Sequence, residues 1–158
     1  MKVALDTSVI IAAVVEEHPH HARACWWLRT RRNLERIASW HAYAEAWAVL
    51  TALPIEPRVS GEVAAAVLER VRRSVGFVPP RSATYPTAVT RCNARALRSG
   101  AVYDALHLVT AEREAADLFL TFNVEDFARL AEPGGPRIVA PPEPPGMPPP
   151  PDADREAS

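Results

Sequence analysis

The sequence predicts an α/β fold of three layers, a central parallel sheet with helices on both faces, and three observations carry that expectation. Short β-prone runs alternate with longer stretches of helical periodicity. One of those runs, Ala116 to Thr121 (ADLFLT), is continuously apolar, as strands covered on both faces are. The length, 158 residues, suits one domain that buries its core without staples.

Lys2 to Leu5 opens as a strand and stops at Asp6-Thr7-Ser8, where Thr7 or Ser8 offers a hydroxyl cap. A first helix is expected from Val9 to Glu16, and His18-Pro19-His20 breaks it. A second runs from about His21 to Thr30, with Ala24, Trp27 and Leu28 on one face. Arg36 to Ser39 reads as a short strand. Ala42 to Leu53 is helical, with Tyr43, Trp47 and Leu50 at helical spacing, until Pro54 and Pro57 end it. Ser60-Gly61-Glu62 starts another helix, striped by Val63, Ala66, Val67, Arg70 and Val71. Gly76 to Val78 is a third strand, followed by helices over Thr84 to Arg98 and Val102 to Glu114. After the ADLFLT strand come a short helix, Asn123 to Leu130, and a last strand, Arg137 to Ala140.

The folded domain is therefore expected over residues 1–140. Ten of the sixteen prolines fall between Pro133 and Pro151, so 141–158 reads as a solvated, proline-rich, disordered tail. Such chain buries little, and its removal should leave the fold intact.

Composition narrows the function. With 48% apolar and 23% charged residues the chain has the balance of a soluble globular domain, not of a disordered one. No apolar run reaches the roughly 18 residues of a membrane span, and Asp6 interrupts the only stretch resembling a secretory signal. A cytoplasmic protein is expected, with Cys25 and Cys92 as free thiols. The net charge of −1 supplies no global attraction for polyanions, which must be met by local arginines or bound cations.

Three acids sit in apolar company. Asp6 lies at the carboxyl end of the first strand, where ligands of open α/β sheets bind. Glu45 lies on a helix among Ala44, Ala46, Trp47 and Ala48, and Asp104 near the start of Tyr103-Asp104-Ala105-Leu106-His107. Each has a plainer reading. Asp6 would serve as a helix cap, Glu45 would face solvent, and Asp104 would meet the dipole of its helix. Taken together, carboxylates in apolar segments are satisfied by one hard cation.

The segments VALDTSVIIA, AEAWAVLTAL, GAVYDALHLVTAERE and LFLTFNVEDF resemble the PIN-domain family, most closely the VapC toxins of toxin–antitoxin pairs. The likeness covers roughly residues 2 to 130, most of the folded part. It implies a parallel α/β fold and Mg²⁺- or Mn²⁺-dependent cleavage of RNA. It also implies a cognate antitoxin that holds the nuclease inactive, and a homodimer. By the resemblance, Asp6, Glu45 and Asp104 fall on the family's metal-binding acids. Thr7 or Ser8 falls on the hydroxyl beside the first acid, and Thr121 on the threonine of the last strand motif. A fourth acidic position falls on Asn123, an amide, which weakens a four-acid site; nearby Asp126 is its rival.

Bound cations would reverse the repulsion between carboxylates and phosphate, polarise a phosphoryl oxygen and activate water, with no serine or histidine nucleophile needed. His107 invites a ligand or base role but reads more readily as a packed helix histidine. His18, His20 and His21 read as a loop and a helix start, not as a zinc site. Arg91, Arg95 and Arg98 suit either a solvated face or contacts to phosphate or antitoxin. Trp26, Trp27, Trp40 and Trp47 suit the core or a partner face. Two other functions remain in view. A phosphatase with Asp6 as nucleophile wants a second Asp where Ser8 stands. A non-catalytic RNA- or protein-binding module with a weakened metal site is compatible with Asn123.

Overall fold

The computed structural model describes residues 1–29 and 33–143. Five strands, β1 (Lys2–Leu5), β2 (Glu35–Ser39), β3 (Gly76–Val78), β4 (Leu118–Leu120) and β5 (Arg137–Val139), form one sheet ordered β3-β2-β1-β4-β5. Every pairing is parallel, as the apolar runs predict. Seven helices among the described residues cover it: α1 (Thr7–Val14), α2 (His21–Arg29), α3 (Trp40–Ala52), α4 (Gly61–Val71), α5 (Thr84–Ala94), α6 (Ala101–Arg113) and α7 (Val124–Ala128).

Strand alternation splits the core in two. Val3, Leu5, Ala38, Leu118 and Leu120 pack with α1 to α4 on one face. Ala4, Ile37 and Phe119 pack with α5, α6 and α7 on the other. The three layers follow from strands apolar on both sides. Among the described residues no helix is long and apolar enough to cross a membrane.

Four local expectations are corrected. The cap of α1 is Asp6, whose Oδ2 accepts from the Ser8 amide at 3.3 Å; Thr7 and Ser8 are already helical and their hydroxyls turn elsewhere. On α3 the buried positions are Ala42, Ala46 and Leu50, a small-residue face that lets the helix lie close. Trp47 is instead 43% exposed, lying across Gly61 with its Nε1 donating to the Gly61 carbonyl at 3.1 Å. A Cβ at Gly61 would stand 3.0 Å from the indole, so glycine admits it there. On α4 the core face keeps Val71 of the predicted stripe but otherwise takes Ala64 and Leu68, one position on from Val63 and Val67. Finally, α5 stops at Ala94, four residues early: Ala96 adopts φ 54° and the Leu97 amide closes on the Cys92 carbonyl at 2.9 Å.

Arg91, Arg95 and Arg98 do not form a free basic stripe. Arg91 is buried and grips Glu112 of α6 through two 2.7 Å bonds. Arg95 binds Glu132 at 2.7 Å, and Arg98 alone stays exposed. Of the tryptophans, Trp27 is in the core, while Trp40 and Trp47 keep large exposed faces. Cys25 and Cys92 are free thiols.

Past the expected boundary at Ala140 the chain still touches the domain. Pro141 is buried, the Pro142 carbonyl accepts from Trp27 Nε1 at 3.0 Å, and Glu143 pairs with Arg23 at 2.8 Å. The remainder of the proline-rich segment, 144–158, and Thr30 of the predicted second helix lie outside the described residues. Truncation after Ala140 removes both contacts and uncovers α2. It is expected to cost about 1–2 kcal/mol and several degrees in Tm, measured by thermal unfolding. An unchanged Tm would show that these contacts contribute nothing.

Candidate active site

The chain leaves β1, builds β2 and β3 to one side, then returns to place β4 and β5 on the other. β1 therefore borders the point where the strand order reverses, and the connections leaving its carboxyl end and that of β4 diverge to open a crevice. Three adjacent strands deliver polar residues there: Ser39 ends β2, Asp6 follows β1, and Thr121 follows β4.

Asp6 is 4% exposed, and its Oδ2 is saturated. It accepts from Ser8 Oγ at 2.6 Å, Thr121 Oγ1 at 2.8 Å and, less closely, the Ser8 amide. Both hydroxyls are themselves held, Ser8 by the Phe122 amide at 3.0 Å and Thr121 by the Asn123 amide at 2.9 Å. The carboxylate is thus locked by one oxygen and presents the other, Oδ1, to the crevice.

Glu45 is locked in the same way from different elements. Its Oε2 accepts from Thr7 Oγ1 at 2.5 Å and from His107 Nε2 at 2.9 Å. His107 is 3% exposed, and its Nδ1 lies 2.7 Å from Ser39 Oγ. Ser39 Oγ accepts from the Ala42 amide, capping α3, and the His107 Nε2 that meets the carboxylate carries a proton. That arrangement satisfies every group in the chain Ser39–His107–Glu45–Thr7. The His107 bond holds the Glu45 carboxyl below the usual carboxylate range, helped by Thr7 and opposed by burial.

Asp104, in the first turn of α6, is in the opposite condition. Burial pushes its carboxyl up to about 6; Asp6 and Glu45 add repulsion, and His107 only partly offsets them. Asp6, Glu45, Asp104 and Asn123 line one cavity of about 510 Å³. The three acids predicted from sequence are brought together, and their charge is under-compensated. That is what a divalent cation would correct: an all-oxygen donor set, with Oδ1 of Asp6 and Oε1 of Glu45 left for it.

Asn123 lines the cavity, exposed and without a capping bond from its side chain. Asp126, its rival, is exposed and pairs with Arg129 at 3.5 Å; only its field reaches Asp104. The opposite wall is aromatic. His20 stacks on Phe122 at 4.5 Å and 18°, with the His18 ring 5.6 Å from His20. Burial, then neighbouring charge, lowers the pKa of both histidines, so the wall is uncharged at neutral pH. His21 turns away, its Nδ1 3.0 Å from the Ala12 carbonyl oxygen. Sequence reasoning missed Ser39 and set His107 aside. The one local signal for Ser39 is a serine between a strand and a helix, which reads only as a cap.

The PIN domain family model matches residues 3–133 of the chain. The chain belongs to the PIN domain family. Among curated proteins, this PIN domain is 33% identical over 117 residues to Ribonuclease VapC27 of Mycobacterium tuberculosis, covering 73% of the chain and 80% of that protein. Solved structures share the fold at lower identity. VapBC2 from Rickettsia felis, bound to a promoter DNA fragment, superposes with TM-score 0.64 at 17% identity, over 89% of this chain and 98% of that one. VapBC-1 from nontypeable Haemophilus influenzae gives 0.64 at 19% over the same shares. VapC20 of Mycobacterium tuberculosis, described as a sarcin-ricin loop cleaving toxin, gives 0.64 at 17% over 80% and 93%. The α/β expectation and the family resemblance therefore both hold.

Proposed function

We propose that this PIN domain is a Mg²⁺- or Mn²⁺-dependent endoribonuclease, the toxin of a toxin–antitoxin pair, with Asp6, Glu45 and Asp104 as its metal-holding residues. The observation that carries the reading is the meeting of three carboxylates in one cavity, with Asp104 pushed up to about 6 by burial and then by the charge of Asp6. The relative named as a ribonuclease and the neighbours solved as toxin–antitoxin complexes support the substrate and the partner.

When bound, the ion supplies Lewis-acid polarisation of a phosphodiester oxygen and a lowered pKa for water. The chain does the rest. Ser8 and Thr121 fix Asp6, and Thr7 and His107 fix Glu45, so each acid enters with its outward oxygen already oriented. Asn123 adds an amide that takes a phosphate oxygen or a water without adding charge. The His18–His20–Phe122 wall gives a neutral surface beside the acids for an unpaired base. A single-stranded or loop substrate fits this geometry better than a duplex.

The test is cleavage of single-stranded RNA by purified protein with Mg²⁺ or Mn²⁺. EDTA is expected to stop it and Asp6→Asn to lower it by about 10³-fold or more, with Asn123→Ala milder. Undiminished cleavage in EDTA would overturn the mechanism. The toxin half is tested separately: expression alone arrests growth, and a co-expressed partner relieves the arrest. Trp47, Val49 and Val63, exposed on α3 and α4 near Glu45, offer that partner or a second copy of the chain an apolar face.

His107 is a positioning residue in this reading. His107→Leu is expected to lower cleavage by about tenfold to a hundredfold with little change in Tm, and His107→Gln, which keeps a donor, to recover much of the loss. Equal losses in both variants would remove the positioning role.

A further inference from the structure

We propose that His41, Glu45 and His107 form a second cation site of different chemistry, one that takes a borderline transition-metal ion such as Zn²⁺ and withdraws Glu45 from the all-oxygen site. The inference rests on the preceding reading only in giving Glu45 a hard-cation role to lose. The donor atoms of the three side chains lie within 4.8 Å of one another. His41 and Glu45 are four residues apart on α3, hence on one face, and His107 reaches them from α6. Neighbouring rings hold His41 in place. It stacks on Tyr103 at 4.9 Å and 18°, and lies against His107 at 5.4 Å.

Ligand type separates the two sites. Asp6 and Asp104 offer oxygen alone, which suits Mg²⁺ and Mn²⁺, whereas two imidazoles and a carboxylate suit Zn²⁺, Co²⁺, Ni²⁺ or Cu²⁺. Three protein ligands leave a fourth position open. A tetrahedral Zn²⁺ wants its donors about 3.3 Å apart, so with His41 held by its stacking the flexible Glu45 side chain has to close on the histidines.

The support for His107 is already built. Ser39 Oγ lies 2.7 Å from Nδ1, where a ligating histidine needs an acceptor for its remaining N–H. With the ion present Nε2 carries no proton, the proton that the imidazole keeps sits on Nδ1, and Ser39 Oγ accepts it. Nε2 then gives its lone pair to the metal. The Nε2–H bond to Glu45 Oε2 is replaced by a shared ion, and closing on that ion draws the whole carboxylate, Oε1 included, towards the histidines and away from Asp6 and Asp104. Zn²⁺ thereby inhibits.

The experiment titrates Co²⁺, a visible stand-in for Zn²⁺, into the full chain in the presence of excess Mg²⁺. The expected result is saturable visible absorption of four- or five-coordinate intensity, abolished by added Zn²⁺. His41→Asn is expected to weaken Zn²⁺ binding by about tenfold or more, to keep Mg²⁺-dependent cleavage, and to remove inhibition by Zn²⁺. Weak six-coordinate absorption, or equal Zn²⁺ affinity in wild type and His41→Asn, would overturn the site. The titration needs no RNA, so it decides this point even if the ribonuclease reading fails.

Discussion

Metal-free protein carrying Asp104→Asn is expected to melt above the wild type at pH 7.5, although it cleaves no RNA. The folded carboxyl is pushed up to about 6 from 3.8, mainly by burial and then by Asp6. A raised folded pKa means that the native state holds its proton more tightly than the unfolded chain does. The associated stability is present in full below about pH 4 and is lost as pH rises through 6. At pH 7.5 the wild type therefore carries the whole penalty of a poorly solvated charge. In a dry site it would be about 3 kcal/mol; solvent in the half-open cavity screens it to on the order of 1 kcal/mol, a few degrees in Tm. Calorimetry in EDTA is expected to show the two proteins converging towards pH 4. Mn²⁺ should raise the wild-type Tm and leave the variant nearly unmoved, since binding to the native state alone is stabilising. A variant less stable than wild type at pH 7.5 would mean that the protein itself compensates Asp104, and the case for a cation would weaken.

The largest loss of stability from a single change away from the cavity is expected at Arg91. Its side chain is 8% exposed and that of Glu112 is 18% exposed, joined by two 2.7 Å bonds between α5 and α6. Arg91 also donates to the Leu130 carbonyl at 3.3 Å. Arg91→Met leaves Glu112 facing the interior without its partner and is expected to cost about 3 kcal/mol in urea unfolding. The double variant Arg91→Met/Glu112→Leu should recover most of that, because the penalty lies in the stranded charge more than in the lost attraction. Cleavage per folded molecule should be unchanged in both. If the double variant is no better than the single one, the pair is a net stabiliser in its own right.

Arg91 also marks where sequence reading reaches its limit. A strand such as ADLFLT announces itself because both of its faces are covered, and the acids stand out against alanine and leucine. These are properties of single segments. What Arg91 faces is a property of two helices, and from α5 alone a buried ion pair and a solvated arginine look identical. Trp47 misled for a related reason: its helical spacing is right for a core, but the alanine face of α3 is what the sheet side takes up. Ser39 and His107 are 68 positions apart, and nothing in either segment reveals that one orients the other.

The sheet also sets when the cavity can exist at all. Every neighbouring pair of strands is parallel, so none of the sheet can form as a local hairpin. β1 pairs with β4 through Val3 and Leu118, and Asp6 is locked by Thr121, 115 positions further along. Such distant pairings make for slow folding, because long loops must close before any contact rewards them. During synthesis, Asp6 leaves the ribosome 115 residues before its partner, so most of the domain is made in between. A nascent chain that has not yet released Thr121 cannot hold Asp6 in place, so the cavity is assembled only after β4 has been made.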